Sequence, residues 1–300
     1  MKDLGVVVVT FHCAGLLRDL VSRHGWLASV PLVVVENSDD PAEMGRVRDA
    51  VAGVPDATVL DARGNVGFGA GVNLGMAELA RRGCQLALVL NPDARLPYSG
   101  LTALLEAAAQ RPGALVSPVI DDATGATWFA GGDLDWRSGR ARHASGSLDW
   151  LTAACLLVPV DRFANVGGFD ERFFLYWEDV DLSRRWLDAG GELVVADSAR
   201  AVHLVGATQP GADASTGKSL VYLQRSCQNR LRFAARHCPP RARLRWLLLS
   251  PGYARLMVKR RRAGGVETWR SWRAVAVGTA LGAGTLLLGG RDRRPWGRRP

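Results

Sequence analysis

Two patterns alternate along the first third of the chain. Continuous apolar, β-branched runs of strand length occupy 4–11 (LGVVVVTF) and 30–38 (VPLVVVENS), with further strand patterns at 56–62 (DATVLDA) and 84–96 (CQLALVLNPDARL). Between the first two, Leu16, Leu17, Leu20 and Val21 recur at helical spacing. Ahead of the fourth, GAGVNLGMAELARRG begins with glycines and then turns helical. Strands that are apolar on both faces are buried on both faces, and their alternation with helices predicts an α/β fold with a Rossmann-like, mostly parallel central sheet flanked by helices.

In such sheets ligands lie beyond the carboxyl ends of the strands. Thr10, Glu36, Asn37, Asn65 and Asn91 to Asp93 fall at those ends and are the first candidates for a site. The middle of the chain is mixed: 112–120 reads as another strand, 124–147 as a glycine-rich loop or hairpin, and 149–163 as a return to the core. From about 218 onward the pattern is helical, as in KSLVYLQRSCQNRLRFAARHC, and no internal repeat is evident.

Charge sharpens that division. The first 200 residues carry 18 Lys and Arg against 26 Asp and Glu, a net of −8, while the last 100 carry 20 against 3, a net of +17. The expected organisation is therefore a catalytic body over 1–215 and a basic helical region over 216–300. Ala274 to Gly290 is 17 residues without a charge, flanked by Arg273 and Arg291 and preceded by Trp269 and Trp272. Seventeen residues is the lower limit for a spanning helix, and five glycines weaken it further, so the tail together with KRRR at 259–262 reads as membrane-associating from the surface. Nucleic acid is not an expected partner, since no aromatic-interleaved recognition motif accompanies the arginines. Five widely spaced cysteines with no CxxC pair signal neither a zinc site nor a disulfide framework. With no signal-peptide pattern at the N-terminus, the expected location is cytoplasmic, peripheral on the inner face of the membrane.

Three stretches carry candidate chemistry. GNVGFGAGVNLG (64–75) has Val72 where a dinucleotide fingerprint needs glycine, and it follows the third strand instead of the first. It reads instead as a loop-to-helix entry where backbone approaches a nucleotide. LVLNPDARL places Asp93 just past a buried strand, where one carboxylate suits a hard divalent cation. In VGGFDERFFLYWEDVDLSRRW, five carboxylates (Asp170, Glu171, Glu178, Asp179, Asp181) fall within twelve positions beside Phe173, Phe174, Tyr176 and Trp177. A carboxylate against apolar walls keeps a raised pKa and can accept a proton.

Taken in order, TFH, VVVENSDD, GNVGFGAGVNLG, LNPDARL and GGFDERFFLYWEDVDL resemble the family 2 glycosyltransferases of the GT-A fold, most closely their bacterial rhamnosyltransferase-like branch. The resemblance runs from about residue 4 to about 236. It implies an inverting hexosyltransferase that moves a sugar, L-rhamnose or another deoxyhexose, from a nucleoside-diphosphate donor to a hydroxyl on a lipid-linked glycan or small molecule. The dTDP-sugar is the preferred donor, with UDP or GDP the alternatives. It further implies that Asp179 is the general base, with Glu178 beside it in orienting the acceptor or the helix end. Nucleotide-sugar contacts would come from Thr10, Glu36, Asn65, Gly67, Asn73, Asn91, Asp93 and Trp177, and Mg²⁺ or Mn²⁺ would be held by Asp93 and His203. Arg184 or Arg185 could compensate the leaving diphosphate, and Arg225, Asn229 and Arg230 fall where the family often has an arginine-asparagine pair near the cleft. Two departures matter: Glu36 stands where aspartate is usual, and Asn91 replaces the first metal aspartate. The alternative is a non-catalytic protein of the same fold that binds membranes or polyanions through its basic region.

Overall fold

The structure, a computed structural model, describes residues 3–143, 147–204, 218–261 and 265–287. Positions 144–146 of the glycine-rich stretch, the boundary expected at 215, Arg262 of KRRR and 288–290 of the uncharged tail lie outside the described residues. The strands are β1 (Leu4–Thr10), β2 (Leu32–Glu36), β3 (Ala57–Asp61), β4 (Leu86–Leu90), β5 (Ala94–Arg95), β6 (Leu115–Asp121), β7 (Thr127–Phe129), β8 (Gly132–Asp135), β9 (Arg140–His143), β10 (Cys155–Pro159) and β11 (Leu193–His203). The helices are α1 (Ala14–Arg23), α2 (Pro41–Val51), α3 (Phe68–Arg81), α4 (Tyr98–Gln110), α5 (Val160–Asn165), α6 (Glu178–Asp188), α7 (Leu220–His237), α8 (Pro240–Leu248), α9 (Ser250–Arg260) and α10 (Gly265–Leu287).

The fold is mixed α/β. The central sheet runs β3-β2-β1-β4-β10-β6-β11-β5, with β7 on β6. Its first four strands are parallel, as the apolar runs predict, and the β1–β2 register ends with Thr10 beside Glu36, while Glu36 in turn sits beside Asp61 at the end of β3. Beyond β4 the sheet is mixed, with β11 parallel to β6. There β10 inserts antiparallel between β4 and β6, and β5 pairs antiparallel with β11. Cys155, Leu156, Leu157 and Val158 are buried like any parallel core strand, so an apolar run reports burial and not direction.

Close approach of α3 to the sheet explains the glycines of 64–75. A Cβ on Gly71 would stand 2.9 Å from Val9, and one on Gly75 would stand 2.5 Å from Val7. Only hydrogen fits there, so the helix lies against the apolar floor of β1. Val6, Val7, Val8, Val33, Val34 and Val35 are sealed from solvent in this core.

The chain divides into two compact units. The first contains the central sheet, the helices that flank it and α6. The second combines the C-terminal helices with Leu134–Arg142 and Leu175–Trp177. Inside the second unit Arg230 is buried, its charge met by carbonyls, a hydroxyl and aromatic rings. Its guanidinium donates to the carbonyls of Ser138, Gly139 and Trp246 and to the Ser250 hydroxyl, at 2.7–3.2 Å, and lies over the rings of Trp246 and Tyr253. Asn229 donates to the carbonyls of Leu175 and Tyr176 at 3.0 and 2.8 Å. A solvated helix face is thereby excluded for both residues, which are almost fully enclosed. Among the described residues no helix is long and apolar enough to cross a membrane.

The glycine packing yields a paired prediction, read from denaturant midpoints. Gly75→Ala forces a methyl into Val7 and loses about 1–3 kcal/mol of stability. Gly45→Ala, in α2 with open space around its Cβ position, gains about 0.5–1 kcal/mol from helix propensity.

Candidate active site

The parallel register of β1 and β2 sets Thr10 and Glu36 side by side at the carboxyl edge, both buried. Thr10 Oγ1 donates to Glu36 Oε2 at 2.5 Å, and the Ser38 amide donates to Glu36 Oε1 at 2.7 Å. The longer glutamate side chain is thus held back against its own strand end. Next to it, Asn37 ties down the glycine loop: its Oδ1 accepts from the Val66 amide at 2.9 Å, and its Nδ2 donates to Asn65 Oδ1 and to the Gly67 carbonyl, each at 3.3 Å. Gly67 has φ of 90° and lies so close to the Phe174 carbonyl that a Cβ would stand 2.3 Å from it. Glycine is required there by conformation and by space.

Asn73 faces the GGFDE stretch instead of the strand ends. Its Nδ2 donates to the Phe169 carbonyl at 2.9 Å, and its Oδ1 accepts from the Phe169 amide at 2.9 Å. The same Nδ2 lies 3.4 Å from Glu171 Oε1. Arg185 holds this loop from the other side, pairing with Asp181 at 2.7 Å and donating to the carbonyls of Val166 and Gly168. Arg184 pairs with Asp188 on the same helix. The two arginines expected to face a diphosphate therefore have protein carboxylates as partners. Asp181, the last acid of Glu-Asp-Val-Asp, is fully buried by that contact.

β5 and β11 bring together two residues 110 positions apart. Their register sets His203 opposite Ala94, and His203 Nε2 meets Asp93 Oδ1 at 3.0 Å. Both side chains are buried, and the edge of Trp128 packs on the imidazole with ring centroids 4.9 Å apart. Asp93 Oδ2 and His203 Nδ1 are buried without a hydrogen-bond partner in the structure. An orphaned carboxylate oxygen and an orphaned imidazole nitrogen, carried by two side chains in contact, are donor types that suit a divalent cation. Among the described residues no third His, Cys, Asp or Glu joins them. Asn91, in the turn before Asp93, donates its amide to the Ala154 carbonyl at 2.9 Å. Near this edge the Cys13 thiol is pushed up to about 12, chiefly by burial, with Glu36 and Asp93 adding negative charge.

Glu178 and Asp179 open α6. Burial, followed by the charge of Asp179, raises the Glu178 carboxyl well above its ordinary range, and its Oε2 is buried without a hydrogen-bond partner. Burial also raises Asp179 to about 6, opposed by backbone amides that include Val180, 2.8 Å from its Oδ1. Two neighbouring carboxyls at the positive end of a helix titrate as a pair, and burial makes the second ionisation the harder one. Such a carboxylate can take a proton from a hydroxyl and hold it. Trp177 belongs to the second unit, packed against Phe233 with centroids 5.4 Å apart, and both it and Tyr176 adopt left-handed φ values, 74° and 68°.

Three kinds of residue escaped the sequence reading. Asn37 stood out only as a strand-end residue, although an asparagine straight after an apolar strand is a sign of backbone capping. Asp181 and Arg185 carry a signal, acid and base four apart on one helix face, but that spacing is equally common on surfaces. Trp128 lies in the glycine-rich stretch and offered no signal.

No family model matches the chain. It is 28% identical over 232 residues to the N-acetylglucosaminyl-diphospho-decaprenol L-rhamnosyltransferase of Mycobacterium tuberculosis, an alignment covering 67% of this chain and 75% of that protein. It is 25% identical over 197 residues to the low-salt glycan biosynthesis hexosyltransferase Agl10 of Haloferax volcanii, covering 62% of each. A shorter stretch of 56 residues, 19% of this chain and 21% of the relative, is 38% identical to the rhamnosyltransferase WbbL of Escherichia coli K12. Among solved structures, GalNAc-T7 crystallised with UDP, GalNAc and Mn²⁺ superposes with a TM-score of 0.58 at 14% identity, over 90% of this chain and 54% of that one. The chain is a glycosyltransferase of the GT-A fold. Its motifs resemble those of the family 2 enzymes, and rhamnosyltransferases are among the relatives it matches. It spans about half the length of the solved neighbour.

The raised carboxylate makes a stability prediction for this glycosyltransferase. An acid whose folded pKa lies above its unfolded value stabilises the fold least when ionised, so the folded protein loses stability as pH rises from about 4 through about 6. Asp179→Asn removes that penalty. Thermal unfolding at pH 7.5 should show the variant more stable by about 1–3 kcal/mol, with the advantage fading by pH 4. An advantage that does not change with pH would assign the effect to packing.

Proposed function

We propose that this glycosyltransferase transfers a deoxyhexose, L-rhamnose being the best match, from a dTDP-sugar to a hydroxyl of a lipid-linked glycan, with inversion at the anomeric carbon. The observation that carries the reading is Asp179, a carboxylate raised to about 6 by burial at the first turn of α6. Relatives at 28% identity named for rhamnosyl transfer to a diphospho-decaprenol-linked sugar support the donor and acceptor classes. The protein would work at the cytoplasmic face of the membrane, where a lipid-linked acceptor is presented.

In this mechanism the acceptor O–H donates its proton to Asp179 as its oxygen attacks the anomeric carbon. The bond from that carbon to the β-phosphate oxygen breaks on the opposite face, and the diphosphate leaves with the bonding pair. Glu178, its carboxyl raised by burial and then by the charge of Asp179, orients the acceptor or the helix end. Thr10 and Glu36 meet the nucleoside at the ends of β1 and β2, and the backbone of Asn65 and Gly67 lines its approach. Asn73 contributes through the GGFDE loop it holds, and Trp177 through the turn it anchors. Asp93 and His203, with Asn91 in the adjoining turn, would hold a divalent cation. When bound, Mg²⁺ or Mn²⁺ neutralises charge on the departing diphosphate. Because the base must be ionised, turnover at saturating donor should rise from pH 5 to pH 7 and then level off.

Thermal stabilisation by dTDP, UDP and GDP, each with and without Mn²⁺, tests the donor reading. A nucleotide at 100 times its dissociation constant adds about 2.7 kcal/mol. The expected result is the largest shift with dTDP and Mn²⁺, and loss of the Mn²⁺-dependent part in Asp93→Asn. A larger shift with UDP or GDP would replace the donor, and no shift with any nucleotide would refute transfer from nucleotide-sugars.

A further inference from the structure

One helix in the second unit has its large side chains on the wrong side for water. Facing α7, α10 presents Ser271, Ala274, Val275, Gly278 and Gly282. A Cβ on Gly278 would stand 2.1 Å from the Gln224 carbonyl, and one on Gly282 would stand 2.7 Å from that of Gln228. These small residues let the two backbones nearly touch, and Ala274 and Val275 join the buried cluster with Leu223, Cys227 and Met257. Facing outward are Trp269, Trp272, Val277, Leu281 and Leu287, with Trp269 64% and Leu287 76% exposed. They spread over the half of the helix that the residues facing α7 leave free, and from Ala274 to Leu287 the helix has no charged residue. A helix packed on a water-soluble core buries its large apolar side chains and exposes polar ones. Here the order is reversed.

We propose that the outward face of α10 docks on an anionic lipid surface and lies along it. The occupant follows from charge and length. Arg270 and Arg273 stand among the two exposed tryptophans at the N-terminal end of the stripe, and Lys259 and Arg260 are exposed at the end of the preceding α9. Arginine next to tryptophan is the composition of a lipid headgroup boundary, while the uncharged stretch beyond it suits the outer edge of the acyl chains. The last 100 residues carry 20 basic side chains against 3 acidic, which favours a negative partner and opposes a second copy of the same basic surface. Since no described helix is long and apolar enough to cross, the helix rests on the membrane. This inference stands on the exposed face alone and needs neither the donor nor the base assigned above.

The test is sedimentation of the full chain with phosphatidylglycerol vesicles, against phosphatidylcholine vesicles as control. The native protein should pellet with the anionic vesicles and be released by salt. Trp272→Glu/Leu281→Glu, at positions that touch no core, should weaken that partition at least about tenfold with an unchanged melting temperature. Leu287→Glu alone, at the exposed end, should weaken it about threefold and serves if the double variant fails to fold. No pelleting of the native chain, equal pelleting of Leu287→Glu, or a dimer in solution dissolved by the same substitutions would overturn the proposal. The last outcome would make this face a contact between copies.

Discussion

Glu178 and Asp179 stand together at the first turn of α6, where burial raises both carboxyl groups and a full second charge would be too costly to hold. The arrangement around them is largely a means of keeping that turn in place. Ser183 of the same helix accepts from the Leu151 amide. Arg185, paired with Asp181, clamps α6 to the carbonyls of Val166 and Gly168 on either side of Gly167 in GGFDE. Asn73 holds the next residue of that loop by both ends of its amide. Because α3 carries Asn73 and lies against β1 through glycines, the acid turn is tied to the sheet by a short chain of direct contacts.

The same economy of contacts governs the carboxyl edge. Thr10, Glu36 and Asn37 hold one another and the glycine loop in place, which fixes the shape of that end of the sheet. Asp93 and His203 differ in that each keeps one buried polar atom without a partner. Natural cores rarely leave such atoms unsatisfied. The contrast separates residues that shape the site from residues left open toward something that binds in it.

Much of this was legible in the residues. Apolar runs placed β1 to β4, and the position of a residue just past such a run placed Thr10, Glu36 and Asp93 at the edge before any coordinates. The Asp93–His203 contact was legible only through resemblance, because no local pattern links positions 110 apart; the β5–β11 register does. The antiparallel direction of β10 was not legible, since burial on both faces erases the alternation that could reveal it. Arg230 was placed near the cleft by resemblance, yet three carbonyls, a hydroxyl and two rings of the second unit enclose it. Single-residue chemistry cannot foresee a cation satisfied by backbone from distant segments.

The most direct test of the account compares turnover and donor affinity in Asp179→Asn. Asparagine keeps the shape of the side chain and removes the proton acceptor. The account predicts a loss of about 10²–10⁴ in kcat, with the dissociation constant of the donor diphosphate, measured by calorimetry, within a few-fold of the native value. Retention of most of the turnover, or an equal loss of affinity and turnover, would contradict Asp179 as the base.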